Sequence, residues 1–208
     1  MPFPSPTIPA AGAKDVFARY LDYFRETVVS KVSALSDDEL RRSRLPSGWT
    51  PLELVKHLRY VELRWIEWGF QGQPVPEPWG DRRDDKWHVA PEETRDELVA
   101  ALRAQGAHTA AVIAGNDLTA IGAPGPRWGG AEPPSLERVL FHLVQEYARH
   151  VGHLDIVGAV RRPGRRVGTS AAARSRAARV GGAGPSIIRV CRRAVGCWRW
   201  WPVRSGGF

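Results

Sequence analysis

Residues 135–160, SLERVLFHLVQEYARHVGHLDIVGAV, decide the fold class and carry several candidate functional side chains. Ser135 is a favourable helix N-cap, and apolar side chains then recur at helical spacing, among them Leu143, Tyr147, Val151 and Leu154. Glu146, His150 and His153 share one flank, because residues three or four apart differ by only about 40–60° around the helix axis. A solvated face would explain charged residues there, but a strip bordered by core positions needs another explanation.

Three further amphipathic helices are predicted upstream of this one. The first spans residues 14–35, where apolar side chains recur every three or four positions. SDDE at residues 36–39 has the form of a capping box and predicts a short helical turn. TPLE opens the next long helix, with Thr50 as N-cap, Pro51 at the first helical position and Glu53 as the capping-box partner.

The remaining segments complete a helical pattern with long loops. The second long helix continues to about Gly69, and the helix breakers in QGQPVPEPWGDRRDD, residues 71–85, predict a loop. The third helix is predicted within residues 90–115, with Pro91 near its start. A second loop, residues 122–134, leads to the fourth helix. Strand signals are nearly absent, so the sequence predicts an all-α four-helix bundle with long loops on either side of the third helix.

The net positive charge of the chain comes from its C-terminal segment. The formal net charge is +8 over 208 residues, but 12 of the 30 basic residues are arginines between positions 161 and 208, where there is no acidic residue. Residues 1–160 therefore carry 18 basic and 22 acidic side chains, a net charge of −4. A basic chain suggests nucleic-acid binding, but here that function would depend on the tail alone, and we do not expect it.

The chain divides into a flexible leader at residues 1–13, a bundle at residues 14–160 and a basic tail at residues 161–208. The tail has no sustained hydrophobic period and no acids to balance its arginines, so it is predicted to be disordered. Three interpretations of the tail are open. It is a nucleic-acid-binding arm, a solvated passenger, or GC-rich sequence translated out of its original frame.

Cysteine usage and hydropathy predict the compartment. Both cysteines, Cys191 and Cys197, lie in the tail, so the bundle cannot depend on a disulfide, as is typical of a cytosolic protein. The leader MPFPSPTIPAAGAK has no apolar run of the signal-peptide kind, and no segment approaches the roughly 18–20 apolar residues of a membrane span. We therefore expect a cytoplasmic protein without a membrane partner.

Three side chains form the strongest candidate site. His57 borders the apolar stripe of the second long helix, and Glu146 and His150 are four residues apart on the fourth. Two ligands at this spacing and one from a facing helix can surround a metal from one side, and three protein ligands leave coordination positions open. Imidazole and carboxylate suit zinc, nickel or ferrous iron. The alternative is structural, with the histidines packed in the core and Glu146 paired with a nearby arginine.

The segments around these residues also resemble a known family. SGWTPLELVKHLRYVELRW, WHVAPEETRDELVAALRA, PRWGG and PSLERVLFHLVQEYARHVGHLDIV follow one another as in the DinB-like superfamily of four-helix metal-binding proteins. The resemblance runs from about residue 15 to residue 160 with matching loops, and the tail lies outside it. More narrowly, these segments are similar to the bacterial mini-circle proteins.

The resemblance carries over to the site residue by residue. The usual DinB-like triad is a histidine near the start of the second helix and an HxxxH pair on the fourth helix. His57 and His150 match two of these histidines, whereas Glu146 stands where the pair has its first histidine. A carboxylate there resembles the thiol-dependent maleylpyruvate isomerase relatives. The resemblance implies that these three residues bind zinc or nickel, and that His153 supports them from behind or packs beside them.

The resemblance also implies a function. Relatives use low-molecular-weight thiols such as mycothiol or bacillithiol, so the expected activity is that of a metal-dependent thiol S-transferase or a thiol-dependent isomerase acting on a small electrophile. The metal would hold the thiol as the nucleophilic thiolate. The alternative is a non-catalytic metal-binding or stress-related bundle. A homodimer is also implied, whereas no catalytic or thiol-binding residue is assigned beyond the metal ligands.

Overall fold

Five α-helices dominate the computed structural model, which describes residues 1–161. They are α1 (Ala13–Ser33), α2 (Asp37–Leu40), α3 (Pro51–Trp65), α4 (Arg95–Gly115) and α5 (Leu136–Arg161). α1 packs against α4 and α5, and α3 packs against the same two helices. The predicted all-α four-helix bundle is therefore confirmed. The predictions about the tail, including its disorder and its two cysteines, lie outside the described residues.

Two helix starts follow from capping boxes that the sequence predicted. Thr50 Oγ1 accepts a hydrogen bond from the Glu53 amide at 3.2 Å, and the Glu53 carboxylate accepts one from the Thr50 amide at 2.7 Å. Ser36 and Glu39 form the same reciprocal pair at the start of α2. Both boxes satisfy amide groups that a helix leaves without partners in its first turn.

The third long helix begins later than predicted. The sequence pattern placed Pro91 near its start, but α4 begins at Arg95, with Thr94 as N-cap and Glu97 completing a capping box. This box satisfies the amide groups of the first turn, so it sets the helix start more strongly than a proline does. Pro91 instead lies in a turn before the helix.

The segment between α3 and α4 contains regular structure that the sequence did not predict. A π-helical turn, Ile66–Phe70, extends α3, and β1 (Arg82–Arg83) pairs with β2 (Lys86–Trp87) in an antiparallel hairpin. The turn residues Asp84 and Asp85 have φ angles of 51° and 59°, as the tight turn of a two-residue hairpin requires. Asp–Asp is a weaker hairpin signal than Asn–Gly, and two-residue strands are too short to show a hydrophobic period.

The core contains the apolar stripes that the helical spacing predicted. Each long helix contributes side chains that are fully or almost fully buried, for example Val28, Leu58, Leu102 and Leu143. In the leader, Phe3 packs edge-on against Tyr20 and Tyr23. None of the helices within residues 1–161 combines the length and the apolar composition that crossing a bilayer requires.

One polar network joins all four long helices within the core. The central network consists of Arg25, Glu62, Thr109 and Tyr147, one from each long helix. The fully buried Glu62 carboxylate accepts hydrogen bonds from the Arg25 guanidinium at 3.0 and 3.2 Å and from the hydroxyls of the other two residues. Gly106 leaves room for the guanidinium, because a Cβ there would lie 2.2 Å from the Arg25 Cζ atom. The hydrophobic pattern gave no sign of this network.

Candidate metal centre

The three predicted ligands come together between α3 and α5. Glu146 Oε2 lies 3.9 Å from His57 Nε2 and 3.3 Å from His150 Nε2. One potential ligand atom of each residue lies within 4.8 Å of the other two. We call these three side chains the ligand cluster. Its two imidazoles and one carboxylate could hold a metal ion, although the role of each residue stays a prediction.

Asp81 fixes the orientation of the His57 ring. Asp81 Oδ2 lies 2.9 Å from His57 Nδ1, and the same carboxylate accepts hydrogen bonds from Arg64 at 2.7 and 3.2 Å. Burial would raise the pKa of Asp81, but the hydrogen bonds from His57 and Arg64 hold it below its ordinary value. Because Arg64 balances the charge of Asp81, a neutral His57 can donate Nδ1–H and present the lone pair of Nε2 to the ligand cluster.

Neither Asp81 nor Arg64 was predicted as a site residue. Asp81 is 24 residues from His57, in a segment that the sequence marked only as a loop. Arg64 gave the one local signal, because it lies two turns after His57 on the same helix and is 3% exposed. A buried arginine calls for a carboxylate partner, but spacing along the chain does not say which acid supplies it.

Electrostatics favour the protonation states that metal ligands require. Burial would raise the pKa of Glu146, but the neighbouring His150 and His57 side chains hold it well below its ordinary value. Burial lowers the pKa of His150. At neutral pH Glu146 is therefore ionised and His150 is neutral, which are the forms that coordinate metal.

The family of the chain follows from its sequence. Residues 16–160, more than half of the chain, match the family model described as mycothiol-S-transferase. The chain belongs to the mycothiol-S-transferase family. This family is DinB-like, so the predicted superfamily is confirmed, whereas the narrower mini-circle assignment stays a prediction.

The chain shows a weak likeness to a protein of known structure. A conserved protein from Enterococcus faecalis, known from a crystal structure, is 16% identical with a TM-score of 0.49, and the likeness covers 71% of this chain and 96% of that chain. A likeness of this degree carries no information about function. No curated protein matches the sequence.

In this member of the mycothiol-S-transferase family, His153 lies behind His150. The two Nδ1 atoms are 3.3 Å apart, and the His153 ring centroid lies 5.7 Å from that of Trp49. His153 thus contacts a predicted ligand without joining the ligand cluster. Its role, as a support for His150 or as a packing residue, stays a prediction.

Tryptophan side chains cover one side of the ligand cluster. Trp87, in β2, stacks on His57 with ring centroids 4.1 Å apart and lies 5.4 Å from His150. Trp49, which precedes α3, lies 6.3 Å from Trp87. The hairpin supplies this cover and also Asp81, which comes directly before β1. A loop without sequence signals therefore provides two of the groups that surround His57.

His142 is a further histidine close to the Glu146 carboxylate. His142 is one turn earlier on α5, and its Nε2 lies 3.7 Å from Glu146 Oε1. Its ring packs on Trp65 with centroids 4.3 Å apart, and burial lowers its pKa. Within residues 1–161, the group of ligand atoms that converge to within 4.8 Å consists of His57, Glu146 and His150, and His142 is outside it.

Proposed function

We propose that the ligand cluster binds one divalent transition-metal ion, and that the protein is a metal-dependent thiol S-transferase. The observation that carries the proposal is the convergence of three ligand atoms within 4.8 Å. With Nδ1–H of His57 donated to Asp81, His57 Nε2 and Glu146 Oε2 face each other as two acceptors, and a cation would turn that repulsion into attraction. Membership of the mycothiol-S-transferase family supports a thiol as one substrate.

The ligand set favours zinc or nickel. Two imidazoles and one carboxylate suit borderline first-row metals, and three protein ligands leave a position for a substrate. Asp81 would hold the ring of His57 and make its Nε2 more basic, since a carboxylate partner on the other ring nitrogen does both. Arg64 would in turn keep the Asp81 carboxylate in place.

The proposed chemistry is nucleophilic substitution or addition by a thiol such as mycothiol or bacillithiol. A bound ion would supply positive charge that stabilises the thiolate relative to the thiol. The thiol proton leaves to solvent, and a sulfur electron pair forms the new bond to the electrophilic carbon. The bond from that carbon to its leaving group breaks, and its electron pair departs as a halide or an alkoxide. Trp87 would limit the access of water from its side of the cluster.

A thiol-dependent isomerase would begin in the same way. The thiol would add to one carbon of a double bond, the adduct would rotate, and the same carbon–sulfur bond would break and return the thiol. Mass spectrometry of the product separates the two reactions, because a transferase leaves the thiol attached and an isomerase does not.

A second candidate function is non-catalytic metal binding, and the burial of the cluster favours it. The Glu146 side chain is 14% exposed, and the side chains of His57 and His150 are 8% and 6% exposed. So little accessible surface suits a metal ion that is bound but that a substrate does not reach. A stress-related role of this kind would need no electrophile.

Elemental analysis of untagged protein tests the metal site. We expect about one ion per chain, and a loss of at least about 100-fold in affinity for His57→Ala and for His150→Ala, since each removes one of three protein ligands. His108→Ala is the matched control, because His108 hydrogen-bonds Gln71 and is not in the ligand cluster. Metal content unchanged in both site variants excludes the site.

Cobalt-substituted protein tests the thiol chemistry. A thiolate-to-metal charge-transfer band on addition of mycothiol, bacillithiol or glutathione is expected, together with faster conjugation of the thiol to a chlorodinitrobenzene. A stoichiometric metal without a band or acceleration for any of the three thiols favours the non-catalytic bundle.

A further inference from the structure

Arg127 is a half-buried arginine that has no acidic partner among residues 1–161. Its Nε is buried and has no acceptor, and no hydrogen bond or ion pair within residues 1–161 engages its guanidinium. The two most deeply buried arginines differ in this respect, because Arg25 binds Glu62 and Arg64 binds Asp81. A guanidinium removed from water normally gains a carboxylate in exchange, so Arg127 needs a different explanation.

Three tryptophans hold the Arg127 guanidinium. Its Cζ lies 4.3 Å from the Trp65 ring centroid, 5.8 Å from that of Trp68 and 5.6 Å from that of Trp128. Aromatic faces attract a cation and restrict its orientation, but they provide no acceptor for its N–H groups. Within residues 1–161 the guanidinium N–H groups therefore lack an acceptor, which an anion could supply.

Two turns hold Arg127 and the tryptophans in this arrangement. Trp128 belongs to a 3₁₀ turn, Pro126–Trp128, and its Nε1 donates a hydrogen bond to Ala123 O at 2.9 Å. The Trp128 ring packs on Gly69 in the π-helical turn, where a Cβ would approach the ring carbons to 3.0 Å. π-helical turns are rare and are frequent at functional sites. The position of Arg127 therefore depends on both of the connections that flank α4.

The charge of Arg127 is uncompensated where it lies. Burial and the nearby positive charge of Arg64 lower the pKa of Arg127 to about 10, so it remains a cation at neutral pH. An anion bound there would offset both unfavourable effects, because it would neutralise the charge and accept the free N–H groups.

A short series of contacts connects Arg127 to the ligand cluster. The guanidinium lies over Trp65 at 4.3 Å, the Trp65 ring lies 4.3 Å from that of His142, and His142 Nε2 lies 3.7 Å from Glu146 Oε1. One small molecule could therefore lie along the tryptophans, with one end at Arg127 and the other directed to the cluster.

We propose that Arg127 binds a carboxylate on the electrophilic substrate and so makes the enzyme specific for anionic, partly apolar electrophiles. This inference rests on the proposed thiol S-transferase function in one respect: the anion that Arg127 binds is taken to be the electrophilic substrate of that reaction. The planar guanidinium matches a carboxylate through paired hydrogen bonds, and the tryptophan faces suit an apolar or aromatic body attached to it.

A binding experiment without a thiol tests the anion site by itself. The full-length protein is titrated by calorimetry with 3,5-dinitrobenzoate and with the neutral 3,5-dinitrobenzamide. We expect about tenfold or greater preference for the carboxylate, in line with a charge-assisted hydrogen bond. Arg127→Gln should abolish the preference, Arg127→Lys should keep part of it, and Arg59→Gln should leave it intact. Arg59 is the matched control because its guanidinium also stacks on an aromatic ring, 4.5 Å from the Tyr60 centroid.

A preference that survives in Arg127→Gln would assign the carboxylate to another cation and overturn the proposal. So would the absence of any preference in the unaltered protein. Circular dichroism and metal content of Arg127→Gln, expected to be unchanged, show that the variant is folded and that its ligand cluster is intact.

A kinetic experiment then tests whether the anion belongs to the substrate. The metal-loaded protein is supplied with one thiol and with 4-chloro-3,5-dinitrobenzoate or its neutral amide. Arg127→Gln should raise KM at least about tenfold for the carboxylate and change kcat/KM of the amide by less than about twofold. Equal losses with both probes would mean a structural role and overturn the proposal. If the unaltered protein turns over neither probe, the transferase proposal fails, and the calorimetric result still decides the anion site.

Discussion

The central network and the ligand cluster lie on the same two helices but are opposite in chemical design. α3 contributes Glu62 to the first and His57 to the second, and α5 contributes the consecutive residues Tyr147 and Glu146. In the central network one carboxylate receives four hydrogen bonds, two of them from Arg25. In the ligand cluster three residues aim ligand atoms at one another, and with His57 Nδ1–H donated to Asp81 the donor that neutral histidines can offer among these atoms is Nε2–H of His150.

This difference distinguishes a polar interior whose carboxylate is saturated with hydrogen bonds from one that could accept a cation. A carboxylate has about four lone-pair sites, and Glu62 accepts four hydrogen bonds from the other three long helices, so its network fixes the helix arrangement and leaves little capacity for a ligand. In the ligand cluster the converging lone pairs outnumber the donors, and a cation would satisfy them. Burial alone does not distinguish the two, because both groups are largely removed from solvent.

The largest expected effect is on stability, from the central network. Arg25→Met leaves the buried Glu62 charge uncompensated and should reduce the free energy of unfolding by about 3–5 kcal/mol, measured by urea denaturation. Arg103→Met is the surface control, since Arg103 pairs with Glu26 where the two side chains are 52% and 40% exposed, and it should cost at most about 1 kcal/mol. Equal losses in the two variants would contradict the distinction between a structural network and an ordinary ion pair.

Glu146→Gln should have the opposite effect, with little loss of stability and a large loss of metal affinity. Without metal, we expect the free energy of unfolding to change by less than about 1 kcal/mol, because a neutral amide removes an acceptor from the cluster and leaves no buried charge unpaired. Affinity for zinc, measured by chelator competition, should fall at least about 100-fold. Glu62→Gln is the matched exchange in the central network, and it should reduce stability and leave zinc affinity unchanged. Loss of stability without loss of metal in Glu146→Gln would make the cluster structural.

Asp81→Asn is expected to weaken the metal site from behind. An amide holds the His57 ring less firmly and does not balance Arg64, so zinc affinity should fall about 10- to 100-fold while the helical circular dichroism signal persists. Asp96→Asn, which changes an acid with a side chain 84% exposed, is the control. An affinity equal to that of the control would remove Asp81 from the site.

Tyr147→Phe should have the smallest effect, and it tests most closely whether the central network and the ligand cluster are independent. The change removes one of the four hydrogen bonds to Glu62 and should cost about 1 kcal/mol of unfolding free energy. Although Tyr147 is adjacent to Glu146 in sequence, its hydroxyl belongs to the other network, so zinc affinity should stay within about twofold of the unaltered protein. A parallel fall in affinity would show that the two regions are coupled.

Much of the fold was predictable because its signals are local. Apolar spacing predicted the four long helices, and the boxes at Thr50 and Ser36 predicted two of the helix starts. The late start of α4 was missed although its box at Thr94 has the same form, because Pro91 offered a competing signal. The hairpin was missed because its strands have two residues each and its Asp–Asp turn is a weak signal.

The candidate site was predictable only in part. Glu146 and His150 share a helix face by their spacing, His57 borders the apolar stripe of another helix, and the family resemblance supported all three, so the structure brings together three residues that the sequence had already selected. Asp81 and Trp87 could not be selected in this way, because the hairpin that delivers them to His57 has no periodic signal. The aromatic surroundings of Arg127 likewise depend on two connections that meet far from each other in sequence.

The sequence by itself determined the helices and most of their starts, and it selected the three residues of the ligand cluster as candidates, because helical periodicity and capping act over three or four residues. Tertiary structure alone decided which buried charge pairs with which. Glu62 accepts from Arg25 and Asp81 from Arg64, although other acids and arginines lie closer in sequence. Local patterns record that a position is buried, whereas the partner of a buried charge is set by the packing of whole helices and loops, which brings distant residues within hydrogen-bond distance.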